Sequence, residues 1–293
     1  MSHAHKASIE NPPAFVAPAN SCDAHFHVFG PADRYPYGDE LRYAPPLAPL
    51  GDYVELAKHL NLTRFVIVQP SAYGRDNRYM LDTMRDYGAG IRGVVDIDED
   101  IADAELAKMH ALGVRGVRIN VRPIKPLDLG FSATMIPRIK ALEPRLAELG
   151  WHLDFLGPGW LTHELMPTLR TLKVPFSLAH MGMFLAKDGP KQAGFQALID
   201  LLKHGDGRCW VKFTGIYRMA TGPDFADAKP MAQALIDAAP DRLIWGSDYP
   251  HLSFGDKCTS IQLFNLIADW TSDPAVRTKI LADNPQALFG FPA

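Results

Sequence analysis

The 293-residue chain has little cysteine, no strong bias toward either charge and no long apolar run. Its three cysteines, Cys22, Cys209 and Cys258, are odd in number and far apart. That pattern speaks against a disulfide framework and a zinc knuckle, and the thiols read as free and buried. Lys and Arg number 30 against 33 Asp and Glu, a formal charge of −3, so nothing in the balance suits nucleic acid. No apolar stretch approaches the roughly 18–20 residues a membrane span requires. The first twenty residues, "MSHAHKASIENPPAFVAPAN", lack the apolar core of a signal peptide. They read as a flexible tail carrying His3 and His5, and the cytoplasm is the expected location. No Gly-x-Gly-x-x-Gly follows any apolar run, which removes the commonest reason to expect a doubly wound dinucleotide fold.

What is present is alternation. Hydrophobic residues make up 47% of the chain, enough for a substantial core. Short β-branched or aromatic runs recur: "CDAHFHVF", "RFVIVQP", "RGVVDI", "RGVRINV", "WHLDFLG", "PFSLAHMG", "CWVKFTG" and "RLIWGSD". Between them lie segments of helical periodicity such as "DAELAKMHALG" and "MIPRIKALEPRLAELG", several closed by glycine. Eight strands alternating with helices predict an α/β protein, a single-domain (β/α)8 TIM barrel over 21–293.

A barrel builds its site at the C-terminal ends of its strands. His25 and His27, one residue apart on the first strand, point to one side. Gln69 and Ser71 close the second strand; Arg118, Asn120 and Arg122 close the fourth. His180 follows the sixth, Lys212, Thr214 and Arg218 the seventh, and Asp248 with His251 the eighth. Three imidazoles and a carboxylate suit either of two chemistries. They can hold one zinc-like ion and acidify its water, or the carboxylate can act as a base while imidazoles stabilise an oxyanion. Arg118, Arg122 and Arg218, with Arg75 and Arg78 in the loop after the second strand, favour a small anionic substrate. The isolated His59, His110, His152, His163 and His204 read as structural.

"DAHFHVFGP", "VIVQPSAYGRDN", "GVRGVRIN", "LAHMG" and "IWGSDYPH" resemble, in order and spacing, the amidohydrolase superfamily. Within it the likeness is to the 2-pyrone-4,6-dicarboxylate lactonase group, which includes lactonases and lactone isomerases. The resemblance implies a hydrolase that opens the lactone ring of a small carboxylated or otherwise anionic compound. Asp248 would move the proton of the attacking water, His25, His27 and His180 would surround the carbonyl, and Tyr43, Ser71, Arg118, Arg218 and His251 would hold the substrate. It also implies work without metal, the alternative being one divalent ion such as zinc on His25, His27, His180 and Asp248. A two-metal site is not expected, since "RGVRINV" offers no bridging lysine. Two positions depart from the group: Met183 stands where an arginine is usual, and Leu156 where a tyrosine is. A substrate other than the dicarboxylated pyrone is therefore expected. Rival readings are a sugar-acid lactone isomerase of the galactarolactone type and a single-zinc decarboxylase. The expected partner is the small lactone, with neither nucleic acid nor membrane involved. Self-association is left open.

Overall fold

The computed structural model describes residues 12–39, 41, 43–121 and 130–292. Each predicted run contributes a short, almost wholly buried strand: β1 Cys22–Phe26, β2 Arg64–Val68, β3 Ile91–Val95, β4 Val114–Asn120, β5 His152–Leu156, β6 Phe176–Leu178, β7 Cys209–Phe213 and β8 Leu243–Trp245. Burial on both faces explains why runs such as RFVIV are continuously apolar rather than alternating. The strands pair in parallel and in sequence order, β1 through β8. The seam closes just past β8. There the Asp248 N–H donates to the His25 carbonyl (2.9 Å), and the His27 N–H donates to the Tyr249 carbonyl (2.9 Å).

Each strand is followed by a helix: α1 Leu50–His59, α2 Arg78–Tyr87, α3 Asp103–Leu112, α4 Ser132–Leu149, α5 Gly159–Leu169, α6 Ala193–His204, α7 Lys229–Ala238 and α8 Ser260–Trp270. Gly113 and Gly150 end α3 and α4 in the left-handed region, at φ 109° and 64°, where a side chain would be strained. The eight-strand, eight-helix expectation is thus met, and the fold is a TIM barrel. All three cysteines are free and buried. Among the described residues no helix is long and apolar enough to cross a membrane.

All but the fourth of the predicted strands run longer than the observed ones. The sequence "PFSLAHMG" yields only Phe176–Leu178, because His180, Met181, Gly182 and Met183 all take positive φ and turn the chain across the barrel mouth. The expected tail, 1–20, is described from residue 12, and that part is packed rather than loose. The Ala14 N–H donates to Asn265 Oδ1, Phe15 stacks on Phe264 at 4.6 Å, and Ala17 is buried. His3 and His5 lie outside the described residues. A small apolar cluster of Cys22, Ala24, Val66, Val94, Trp210 and Ile244 is capped by Phe289 and Phe291. Phe289 meets His152, the first residue of β5, so this plug sits at the end opposite the strand C-termini.

Candidate active site

The C-terminal mouth holds a cavity of about 300 Å³, lined among others by His27, Tyr43, Ser71, Arg118, Asn120, His180, Arg218 and Asp248. Val121, Leu156, Pro158, Met183 and Leu252 supply its apolar surface. Residues expected from strands one, two, four, six, seven and eight therefore meet here, though not every residue expected from them does.

Asp248 is the centre. It stands at φ 56° just past β8, a backbone state that aims its carboxylate into the mouth. His25 Nε2 and His27 Nε2 each lie 3.5 Å from Oδ1, and His180 Nε2 lies 4.0 Å from Oδ2. The Tyr217 hydroxyl (2.5 Å) and Arg218 Nε (3.1 Å) donate to Oδ2. Oδ1 makes no hydrogen bond among the described residues. Burial alone would raise the Asp248 pKa, but the Arg218 guanidinium outweighs it and holds the group well below the usual carboxylate range. Burial keeps the three histidines neutral: it lowers His25 and His27, and takes His180 down to about 3. A neutral imidazole cluster around a fixed anion is the electrostatic state of the site near pH 7.

Two glycines make room for these rings. A Cβ at Gly246 would come within 2.6 Å of the His25 Cβ, and one at Gly215, itself at φ 55°, within 2.4 Å of His180 Nδ1. The ring of His25 is fully buried beneath the cavity rather than on its wall. Below it, Lys212 and Asp154 form an ion pair whose two side chains are completely enclosed.

On the polar wall, Tyr43 and Ser71 are 3.4 Å apart through their hydroxyl oxygens. Arg118 is buried and gives one N–H to the Gln69 carbonyl (2.5 Å). Among the described residues its guanidinium has no carboxylate within 4 Å, and its Nε makes no hydrogen bond. A buried cation with unspent donors is what an anionic ligand group would complete.

Other expected residues fall elsewhere. His251 is buried behind the wall, its Nε2 3.1 Å from Ser260 Oγ and its ring edge-on to Tyr217, so it supports the cavity from outside it. Arg218 reaches the cavity, but its Nε is committed to Asp248 and its plane lies on Tyr217 and Phe254. Arg75 and Arg78 are not at the site: Arg75 pairs with Asp96 and Asp98, and Arg78 with Asp76, along a separate surface groove. Arg122 lies outside the described residues. His152 bonds the Arg115 carbonyl through Nδ1, His110 accepts from Trp151 Nε1, and His204 pairs with Asp200 on the surface.

Sequence reasoning missed Tyr217 and Asp154. The first was readable as the neighbour of Arg218 in "GIYR". The second shares an alternation face with Leu156, two residues on.

Spacing alone fits one metal ion. A nitrogen from each of His25 and His180 and an oxygen of Asp248 lie within 4.8 Å of one another. Their surroundings fit it less well. Arg218 and Tyr217 already occupy Oδ2, and the Lys212 Nζ stands 3.4 Å from His25 Nδ1. A divalent cation would sit among cationic neighbours, with one carboxylate oxygen already engaged.

Residues 22–291 match the amidohydrolase family. A 4-sulfomuconolactone hydrolase of Hydrogenophaga intermedia is 34% identical over 96% of this chain and 92% of its own. A 2-pyrone-4,6-dicarboxylate hydrolase of Comamonas testosteroni is 31% identical over 94% and 92%, and a D-galactarolactone isomerase of Agrobacterium fabrum 30% over 94% and 92%. Among solved structures, one from Pseudomonas putida is 32% identical and superposes with a TM-score of 0.82 over 94% of this chain and 99% of that one. The chain therefore belongs to the amidohydrolase family and is an enzyme, among relatives named for hydrolysing or isomerising lactones.

Proposed function

We propose that this enzyme hydrolyses a small lactone bearing an acid group, without a metal ion. The observation that carries the reading is the pairing, in one 300 Å³ cavity, of an ionised Asp248 with a buried Arg118 that has no carboxylate partner among the described residues. Arg118, with Tyr43 and Ser71 beside it, receives the acid group. Asp248 Oδ1 takes a proton from water as the water oxygen bonds to the ring carbonyl carbon. The carbonyl electron pair moves onto its oxygen, where His180 and the nearby guanidinium charge stabilise it. The pair then returns, the bond to the ring oxygen breaks, and the Asp248 proton passes to that oxygen to give a hydroxy acid. Donors of this kind are typically worth roughly 3–4 kcal/mol of barrier each. The sulfonated and carboxylated lactones named for the hydrolase relatives support an anionic substrate. The apolar Leu156 and Met183 support a lactone other than the dicarboxylated pyrone.

A second reading has its own support in the isomerase relative. There a hydroxyl of a sugar acid would attack the same activated carbonyl in place of water. One experiment separates them. The purified enzyme is offered 4-sulfomuconolactone, 2-pyrone-4,6-dicarboxylate and D-galactarolactone, products are followed by NMR, and metal content is measured in the same preparation. A ring-opened acid is the expected product. A new lactone would establish the isomerase, and zinc at one equivalent with chelator-sensitive turnover would overturn the metal-free chemistry.

A further inference from the structure

His25 and His27 look equivalent in the sequence, but their second ring nitrogens meet opposite partners. His27 Nδ1 lies 2.7 Å from the Val68 carbonyl oxygen. A carbonyl only accepts, so Nδ1 carries the hydrogen and Nε2 presents a lone pair. His25 Nδ1 lies 3.4 Å from Lys212 Nζ. That amine is enclosed with Asp154 as an ion pair, and the Asp154 carboxyl is held low by the Lys212 charge against the effect of burial. Burial lowers the Lys212 pKa, but direct contact with the Asp154 carboxylate keeps the proton on the amine; an ammonium only donates, so His25 Nδ1 accepts and its hydrogen resides on Nε2.

We infer that Lys212 is a positioning residue: held by Asp154, it fixes His25 in the Nε2–H tautomer, opposite to that of His27. The consequence falls on Asp248 Oδ1, which both Nε2 atoms face at 3.5 Å. From His25 it faces an N–H at 3.5 Å whose polarity favours the carboxylate charge without a formed hydrogen bond. From His27 it meets a second lone pair. Two acceptors 3.5 Å apart attract a group with two hydrogens between or beside them, and water is that group. Oδ1 is the oxygen left open, since Tyr217 and Arg218 hold Oδ2. Lys212 thus aims one imidazole's N–H at the base and leaves the other as a second acceptor for the nucleophile. It also removes the lone pair that His25 would need to ligate a metal. The catalytic part rests on the hydrolase reading; the ring tautomers do not.

The test is nitrogen-15 NMR of histidine rings in the full-length uncomplexed protein, with His25→Asn and His27→Asn used to assign the signals. His25 should show a protonated-type Nε2 and an unprotonated Nδ1, and His27 the reverse. A His25 ring protonated at Nδ1 would overturn the inference whatever the enzyme's substrate. In the Lys212→Met/Asp154→Leu double variant both charges go together, so neither is left buried alone. There His25 should relax to a mixture of tautomers while His27 keeps its own. On 4-sulfomuconolactone or whichever panel lactone turns over, kcat should fall about 100-fold with KM little changed. An unchanged His25 signature or an unchanged kcat in a folded double variant would also overturn it. If that variant does not fold, the wild-type spectrum decides. If no lactone is turned over, the proposed function fails while the spectrum still judges Lys212.

Discussion

Replacing Asp248 by Asn isolates the charge of the base from everything else it does. The side chain sits at φ 56°, and asparagine tolerates the left-handed region better than almost any other residue with a side chain, so the backbone is not penalised. The amide oxygen can still accept from Tyr217 and Arg218, which lie 2.5 and 3.1 Å from Oδ2. The lost part is the weakening of these two bonds from charged to neutral. Because the Arg218 side chain is 25% exposed, solvent returns some of it. Stability should therefore change by no more than about 1–2 kcal/mol. Oδ1 fares differently. It is the one oxygen free to take a proton, and an amide in its place takes none. General-base loss of this kind typically lowers kcat/KM about 10²- to 10⁴-fold, or roughly 3–5 kcal/mol of barrier. The assay pairs urea unfolding with initial rates on a lactone the wild type hydrolyses. A folded Asp248→Asn enzyme within tenfold of wild type would refute Asp248 as the base, and with it the mechanism.

The same geometry sets further expectations. Removing the Arg118 charge with Arg118→Gln should raise KM for an acidic lactone about 10- to 100-fold, the worth of a charge-assisted hydrogen bond, while leaving an uncharged lactone unaffected; equal effects on both would refute its anion-binding role. Placing a guanidinium on the apolar surface with Met183→Arg should lower KM for 2-pyrone-4,6-dicarboxylate about tenfold, and no change would refute the view that Met183 disfavours that substrate. Stability should fall as pH falls from 6.5 to 4. His25, His27, His152 and His180 are held neutral by burial, His152 at about 4 and His180 at about 3 against an ordinary 6.5, so the unfolded chain binds protons there that the native chain refuses. Each such group contributes up to about 1.4 kcal/mol per pH unit. Burial raises Asp23 to about 6, and below that pH it offsets about one histidine by binding its proton in the native state first. A urea midpoint that does not drop between pH 7 and pH 5 would contradict this balance.

The barrel was legible because its strands are buried on both faces, which leaves short apolar runs separated by helical periodicity. The reactive core was legible for a related reason: histidines and an aspartate in or just after such runs stand out against apolar neighbours as candidates for the barrel mouth. Where reading failed, the deciding partner was remote or the chain turned. Arg75 is claimed by Asp96 and Asp98 past the next strand, and no local pattern announces that pairing. His251 follows Asp248 closely, yet the positive φ values at Asp248 and His251 send the two side chains to different surroundings. The Lys212–Asp154 pair joins strands with β6 between them, a relation fixed by inward-facing alternation around a closed barrel rather than by neighbouring strands.

The seam between β8 and β1 has a kinetic side. Asp248 and Tyr249 form its backbone bonds to His25 and His27, and Ser247 N–H is held by Asp23 Oδ1 from 224 residues away in sequence. Contacts of such separation demand some of the largest loop closures the chain performs, so they form after the more local strand pairs. Joining the first strand to the last and bringing the base to its imidazoles are one event. Regain of turnover during refolding should therefore lag recovery of helical circular dichroism, and a chain cut before the eighth strand should bind acids poorly and catalyse nothing.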